Sequence, residues 1–180
     1  WQVISAVSGG LLLILIIVSI TGISIPERVI VIEEPYQEND RSKSVCVTFL
    51  RDAEKVWVDN DDYSRVGAQY NGIIYNNRQA TIITDWKVSI DVAEDCSIDP
   101  GPWNGTFSIS EKVMYVRKPQ DKDAENIHGA NYYQVSPLRN LGFGCIMYSP
   151  ANFSPLESKI VFSYESVLRP LSYIFFDIAL

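Results

Sequence analysis

From Val3 to Ile25 apolar residues follow one another almost without interruption, and no ionisable side chain occurs before Glu27. A helix of about 20 such residues satisfies its own backbone across a bilayer core of about 30 Å, so the pattern predicts a transmembrane helix over 1–25. A secretory signal would have a shorter apolar core and a basic start. The next stretch, 26–44, mixes Pro26 and Pro35 with Glu33, Glu34, Glu38, Asp40 and Arg41, a composition that predicts an extended, solvated stalk.

From Val45 the pattern changes to short β-type runs separated by turn residues, with little helical periodicity. The clearest run is Ala80 to Val92: Ile82, Trp86, Val88, Ile90 and Val92 fall on one side, and Asp85, Lys87, Ser89 and Asp91 on the other. Period two means one buried face, and it places Trp86 in the core. Further strands are predicted at Val45 to Leu50, Tyr70 to Tyr75, Phe107 to Ile109, Val113 to Arg117, Leu141 to Tyr148 and Lys159 to Ser163, with turns at Asn76-Asn77 and Asn104-Gly105. The reading is all-β: an immunoglobulin-like antiparallel β-sandwich over 45–168, preceded by one N-terminal transmembrane helix. Residues 169–180 end in an apolar segment interrupted by Asp177. It is read as the start of a second membrane segment or as a last amphipathic element.

Charge and rare residues narrow the chemistry. A net charge of −7 disfavours nucleic acid and anionic lipid headgroups, which select clustered Lys and Arg. His128 is the single histidine, and Cys46, Cys96 and Cys145 show no CxxC spacing, so neither a zinc site nor a cofactor is expected. Three cysteines allow at most one internal disulfide, and the sequence leaves all three pairings open. Asp59-Asn60-Asp61-Asp62 lacks the EF-hand spacing and reads as a solvated acidic loop. Asp85, Asp91, Glu94 and Asp95 are of the type a glycosidase uses, but Asp85 and Asp91 fall on the polar side of a strand. No nucleophile elbow or metal motif accompanies them, so catalysis is not expected. Opening on Trp1 rather than Met, the chain reads as a fragment of a longer protein.

The segment from Trp57 to Pro150 resembles the family 2 carbohydrate-binding modules, also called cellulose-binding domains. The resemblance runs in order through Gln69-Tyr70-Asn71-Gly72-Ile73-Ile74-Tyr75-Asn76-Asn77, Ile83-Thr84-Asp85-Trp86-Lys87-Val88, Trp103-Asn104-Gly105, Asn126-Ile127 and Leu141-Gly142-Phe143. It covers about half of the chain. It is most similar to the variant found outside the membrane in bacterial membrane proteins, where a cytoplasmic signalling domain often follows. Members that bind crystalline cellulose use three coplanar tryptophans. Here Trp103 matches the middle one, the first falls near Val66 with Trp57 and Tyr63 close by, and the third falls near Glu125. The resemblance therefore implies a soluble glycan chain or a peptidoglycan strand as ligand.

Sugar rings present apolar C–H faces, so a glycan-binding sandwich displays rigid aromatic rings among Asn, Gln, Asp and Tyr. The expected carbohydrate contacts are Trp103, Asn104, Trp57 and Tyr63, with Tyr132 and Tyr133 behind them. The expected protein is a non-catalytic, extracytoplasmic polysaccharide-binding or sensory domain. It is held in the cell membrane by its N-terminal helix and attached to a cytoplasmic signalling domain in the full-length chain. The competing expectation is a structural or partner-binding ectodomain that has lost glycan binding.

Overall fold

A computed structural model describes residues 23–32, 44–120, 132–153 and 159–168. These form two antiparallel sheets. The strands are β1 (Ile23–Ile32), β2 (Val45–Val58), β3 (Arg65–Asn76), β4 (Thr81–Asp91), β5 (Ser97–Ile98), β6 (Thr106–Ser110), β7 (Val113–Arg117), β8 (Arg139–Pro150) and β9 (Ile160–Leu168). One sheet has the order β1-β9-β4-β7-β6 and the other β2-β3-β8-β5.

The all-β, two-sheet expectation holds, and alternation is its cause. On β3, Ala68, Tyr70, Ile74 and Asn76 are buried while Gln69, Asn71, Ile73 and Tyr75 are half-buried. Where the two inner faces meet, Trp86 tilts against Phe143 with ring centroids 5.6 Å apart, and Phe143 meets Phe49 at 6.3 Å and Phe107 at 6.2 Å. Each such ring contributes about 1.5–3 kcal/mol by leaving water. Trp86 is 1 % exposed, as its alternation implies, and its Nε1–H donates to the Tyr133 carbonyl at 3.1 Å. Buried Asn76 serves as a polar clamp: its Nδ2 donates to the carbonyls of Thr81 (2.7 Å), Val135 (2.9 Å) and Ser136 (3.2 Å).

Three sequence expectations need correction. Residues 26 to 32, read as stalk, are strand: β1 pairs along β9 from Ile23↔Leu168 to Ile32↔Ile160, with a register shift between Ile25 and Arg28. Pro26 fits there because an edge strand tolerates a missing N–H at an irregularity. Second, residues 23–25, assigned to a membrane helix, begin this strand. Residues 1–22 of that helix, 33–43 of the stalk, 169–180 and His128 lie outside the described residues. Among the described residues no helix is long and apolar enough to cross a membrane. Third, Ile82 is not on the inner face of β4; a register shift between Ile83 and Asp85 puts Thr81 and Ile83 inward and restores the expected phase from Trp86 onward.

Candidate functional site

The outer face of the four-stranded sheet gathers the residues that matter. Antiparallel partners point to the same side of a sheet, so the register defines rows across it. One row is Trp57↔Gly67↔Tyr148, from β2 through β3 to β8. Another is Leu50↔Asn71↔Gly144, extended by a bridge from Gly144 to Trp103. Between them lie Gln69 and Ile146. Along β8 the outer rows at Tyr148 and Gly144 are four residues apart, roughly 13 Å at about 3.3 Å per residue.

The two glycines explain how the indoles are held. A methyl group at Gly67 would overlap the Trp57 ring and come within 2.8 Å of Tyr148 Cε1; at Gly144 it would overlap the Trp103 ring and the Tyr70 carbonyl oxygen. Each tryptophan thus lies against bare backbone, where only glycine leaves room. Trp57 is 37 % exposed and meets Tyr148 edge to face at 6.3 Å and 84°. Trp103 is half-buried, and its backbone exchanges two hydrogen bonds with Gly144, at 3.0 and 3.1 Å. Asn104 follows in the left-handed region (φ 53°), and its Nδ2 donates to the Gly142 carbonyl at 3.0 Å, fixing the turn that presents Trp103. Between the aromatic ends the Gln69 amide donates to Asn71 Oδ1 at 3.0 Å.

Arg65 braces one end of this strip. Its guanidinium donates to the Asp95 carbonyl (2.9 Å), Ser97 Oγ (2.7 Å) and the Tyr148 carbonyl (3.2 Å), and it lies 5.9 Å from the Tyr148 ring centroid. Charge-assisted hydrogen bonds and a cation–π contact together restrain that ring.

The structure therefore brings Trp57, Trp103 and Asn104 to one sheet face. Tyr63 lies off the sheet, 82 % exposed, in the loop joining β2 to β3. Tyr133 is buried, its carbonyl accepting from the Trp86 indole, and Tyr132 stands edge-on to it, 42 % exposed. In the acidic loop the carboxylates serve their own backbone: Asp59 accepts from the Asp61 N–H at 3.0 Å, and Asp62 from the Ser64 N–H and hydroxyl at 3.0 and 2.6 Å. Those Ser64 hydrogen bonds hold the Asp62 carboxyl below the usual range. Glu94 pairs with Lys112 at 2.9 Å. Cys96 and Cys145 are free thiols. Sequence reading missed Tyr148, Gln69 and Asn71; the available signal was a glycine inside each of two strands, Gly67 and Gly144, each marking a close approach.

No protein-family model matches the chain, and no curated protein matches it. Among solved structures it is similar to the cellulose-binding family 2 carbohydrate binding domain from ScLPMO10C, at 19 % identity over 69 % of this chain and 96 % of that one, with TM-score 0.39. It is also similar to the chitin-binding domain of a hyperthermophilic chitinase from Pyrococcus furiosus, at 14 % identity over 66 % and 86 % of the two chains, with TM-score 0.40. A third is the chitin-binding domain of Chi18aC from Streptomyces coelicolor, at 14 % identity over 62 % and 85 %, with TM-score 0.37.

Proposed function

We propose that this protein binds neutral polysaccharide chains without cleaving them, along the outer face of the sheet β2-β3-β8-β5. The observation that carries this reading is the strip itself. Two tryptophans are seated on strand glycines, Gly67 of β3 and Gly144 of β8, in rows four residues apart along the strands, with a paired Gln69 and Asn71 close by. Indoles held against backbone lose little entropy when a pyranose stacks on them, and neutral amides match hydroxyl groups without demanding charge.

The wider setting is part of the same proposal. The uncharged apolar run ahead of β1 supports attachment to the cell membrane with the sandwich on its outer side. There it would serve as the sensory or attachment portion of a larger bacterial membrane protein, followed by a cytoplasmic signalling domain. A structural ectodomain is the second reading. It is favoured by Val56 and Val58, 41 % and 53 % exposed on β2, an edge strand that a partner could cover.

The test is migration of the full chain, in mild detergent, through native gels containing soluble glucans, alongside pull-down on insoluble cellulose and chitin. Trp57→Ala and Trp103→Ala are each expected to weaken retardation about tenfold or more, the usual cost of losing an aromatic anchor. Retardation by no glycan, with the fold intact by circular dichroism, would overturn the proposal in favour of the structural reading.

A further inference from the structure

The turn that presents Trp103 also borders a hollow of a different shape. A cleft of about 410 Å³ opens beside it, walled by Pro102, Pro119 and Tyr133 and edged by Asn104, Thr106 and Gln120. That volume falls in the range of small-ligand sites, roughly 300–1,000 Å³. Pro119 and Tyr133 are buried, so the apolar wall is rigid, while Thr106 and Gln120 are exposed at the rim. Asn104 commits its Nδ2 to the Gly142 carbonyl, which locks the amide and leaves Oδ1 as an acceptor. Among the described residues no carboxylate or cationic side chain lines the cleft.

An apolar wall of ring-shaped side chains and a rim of neutral donors and acceptors together select a polyhydroxylated ring. We propose that the cleft is a second saccharide subsite, holding one pyranose unit of a neutral glycan. The proposal rests on the saccharide reading above, but not on the strip. Pro102 and Asn104 flank Trp103 in the chain, so cleft and strip share one turn, and a flexible chain leaving the strip can bend into the cleft. A chain fixed in a crystal surface cannot bend in this way. The cleft therefore adds affinity for free chains and chain ends only.

The test is a titration of the full chain, isotope-labelled and in detergent micelles, with glucose, N-acetylglucosamine and the corresponding hexasaccharides, followed by amide chemical shifts. Monosaccharides are expected to shift Thr106 and Gln120 amides, and to do so equally in Trp57→Ala. Gln120→Ala combined with Thr106→Val is expected to weaken hexasaccharide binding roughly tenfold, the equivalent of one or two neutral hydrogen bonds. Its pull-down on insoluble polymer should stay within about twofold. Shifts confined to the strip, or a double variant with unaltered hexasaccharide affinity, would overturn the cleft proposal and leave the strip intact. Cleft shifts that persist while both tryptophan variants bind normally would instead overturn the strip. Silence at both surfaces removes both.

Discussion

At the scale of single residues, the site depends on two side chains that are absent. Gly144→Ala forces its methyl group into the Trp103 ring and also against the Tyr70 backbone oxygen, which cannot rotate away. Overpacking of this kind costs about 1–3 kcal/mol. Gly144→Ala should therefore lower the unfolding free energy by that amount, read as a drop in the urea midpoint at unchanged m, and change indole fluorescence. At Gly67→Ala the nearest atoms belong to side chains, those of Trp57 and Tyr148, so it should cost less stability while still displacing Trp57 and weakening glycan retardation. Equal losses at the two positions would show that the indoles do not rest on the backbone as described. A second residue-scale consequence concerns Cys145, whose thiol is pushed up to about 12 by burial. Below the unfolded thiol value of about 8.5 both states hold the proton and the group has no effect. Between there and about pH 12 only the unfolded state ionises, so stability falls as pH rises. Its cross-strand partner Tyr70 is raised by the same desolvation and acts in the same direction at higher pH. Cys145→Ala should flatten the alkaline slope from about pH 9, as read by thermal melts. An unchanged slope would mean that the thiol ionises while folded.

Individual strands show what the sequence could and could not reveal. The turn from β6 to β7 has two residues, Glu111 and Lys112, both left-handed at φ 51° and 64°. That is the geometry whose twist matches a hairpin, yet it usually takes Asn or Gly. Glu111→Gly should stabilise the protein by about 1 kcal/mol, since a left-handed residue with a Cβ costs roughly that much; Lys112 is better left in place, because it pairs with Glu94. A lower melting temperature for Glu111→Gly would show that the side chain has a role beyond the turn. Alternation located β4, and short β-type runs between turn residues located the cores of β3, β7 and β8, because each has one face sealed and one in or near solvent. It failed for β1, where Pro26 and Glu27 sit at a register shift that breaks the period, and where the strand begins inside an apolar run that resembles a membrane helix. The site was legible only in part for a related reason. Trp103 and Asn104 announce themselves in a turn, whereas the meeting of Trp57, Gly67 and Tyr148 is a product of register between distant strands. Because β1 covers the edge of β9, removing residues 1–32 should lower the melting temperature and promote association through the bared strand. An unaffected, monomeric truncation would show that β1 is an ornament.

For the molecule as a whole, charge separates the ligands that fit from those that do not. The chain carries a net charge of −7, while the strip presents tryptophan, tyrosine, leucine, isoleucine and amide groups, with the Arg65 guanidinium tied down by hydrogen bonds at one end, and the described lining of the cleft presents tyrosine, amide, hydroxyl and proline groups. A neutral glycan meets the site without crossing an electrostatic barrier, so its affinity should change less than about twofold between roughly 50 and 500 mM salt, where the screening length shrinks to a few ångströms. An acidic polysaccharide of the same backbone carries its charge into the field of the entire domain, and like-charge juxtaposition is opposed even where contact is neutral. The matched pair is a soluble glucan and its carboxymethyl derivative, measured by affinity electrophoresis of the full chain. The neutral polymer should retard the protein equally at low and high salt; the carboxymethyl polymer should retard it weakly at low salt and recover as salt rises. Stronger retardation by the acidic polymer at low salt would locate binding at a cationic surface elsewhere, and would sink the assignment of function to the tryptophan strip.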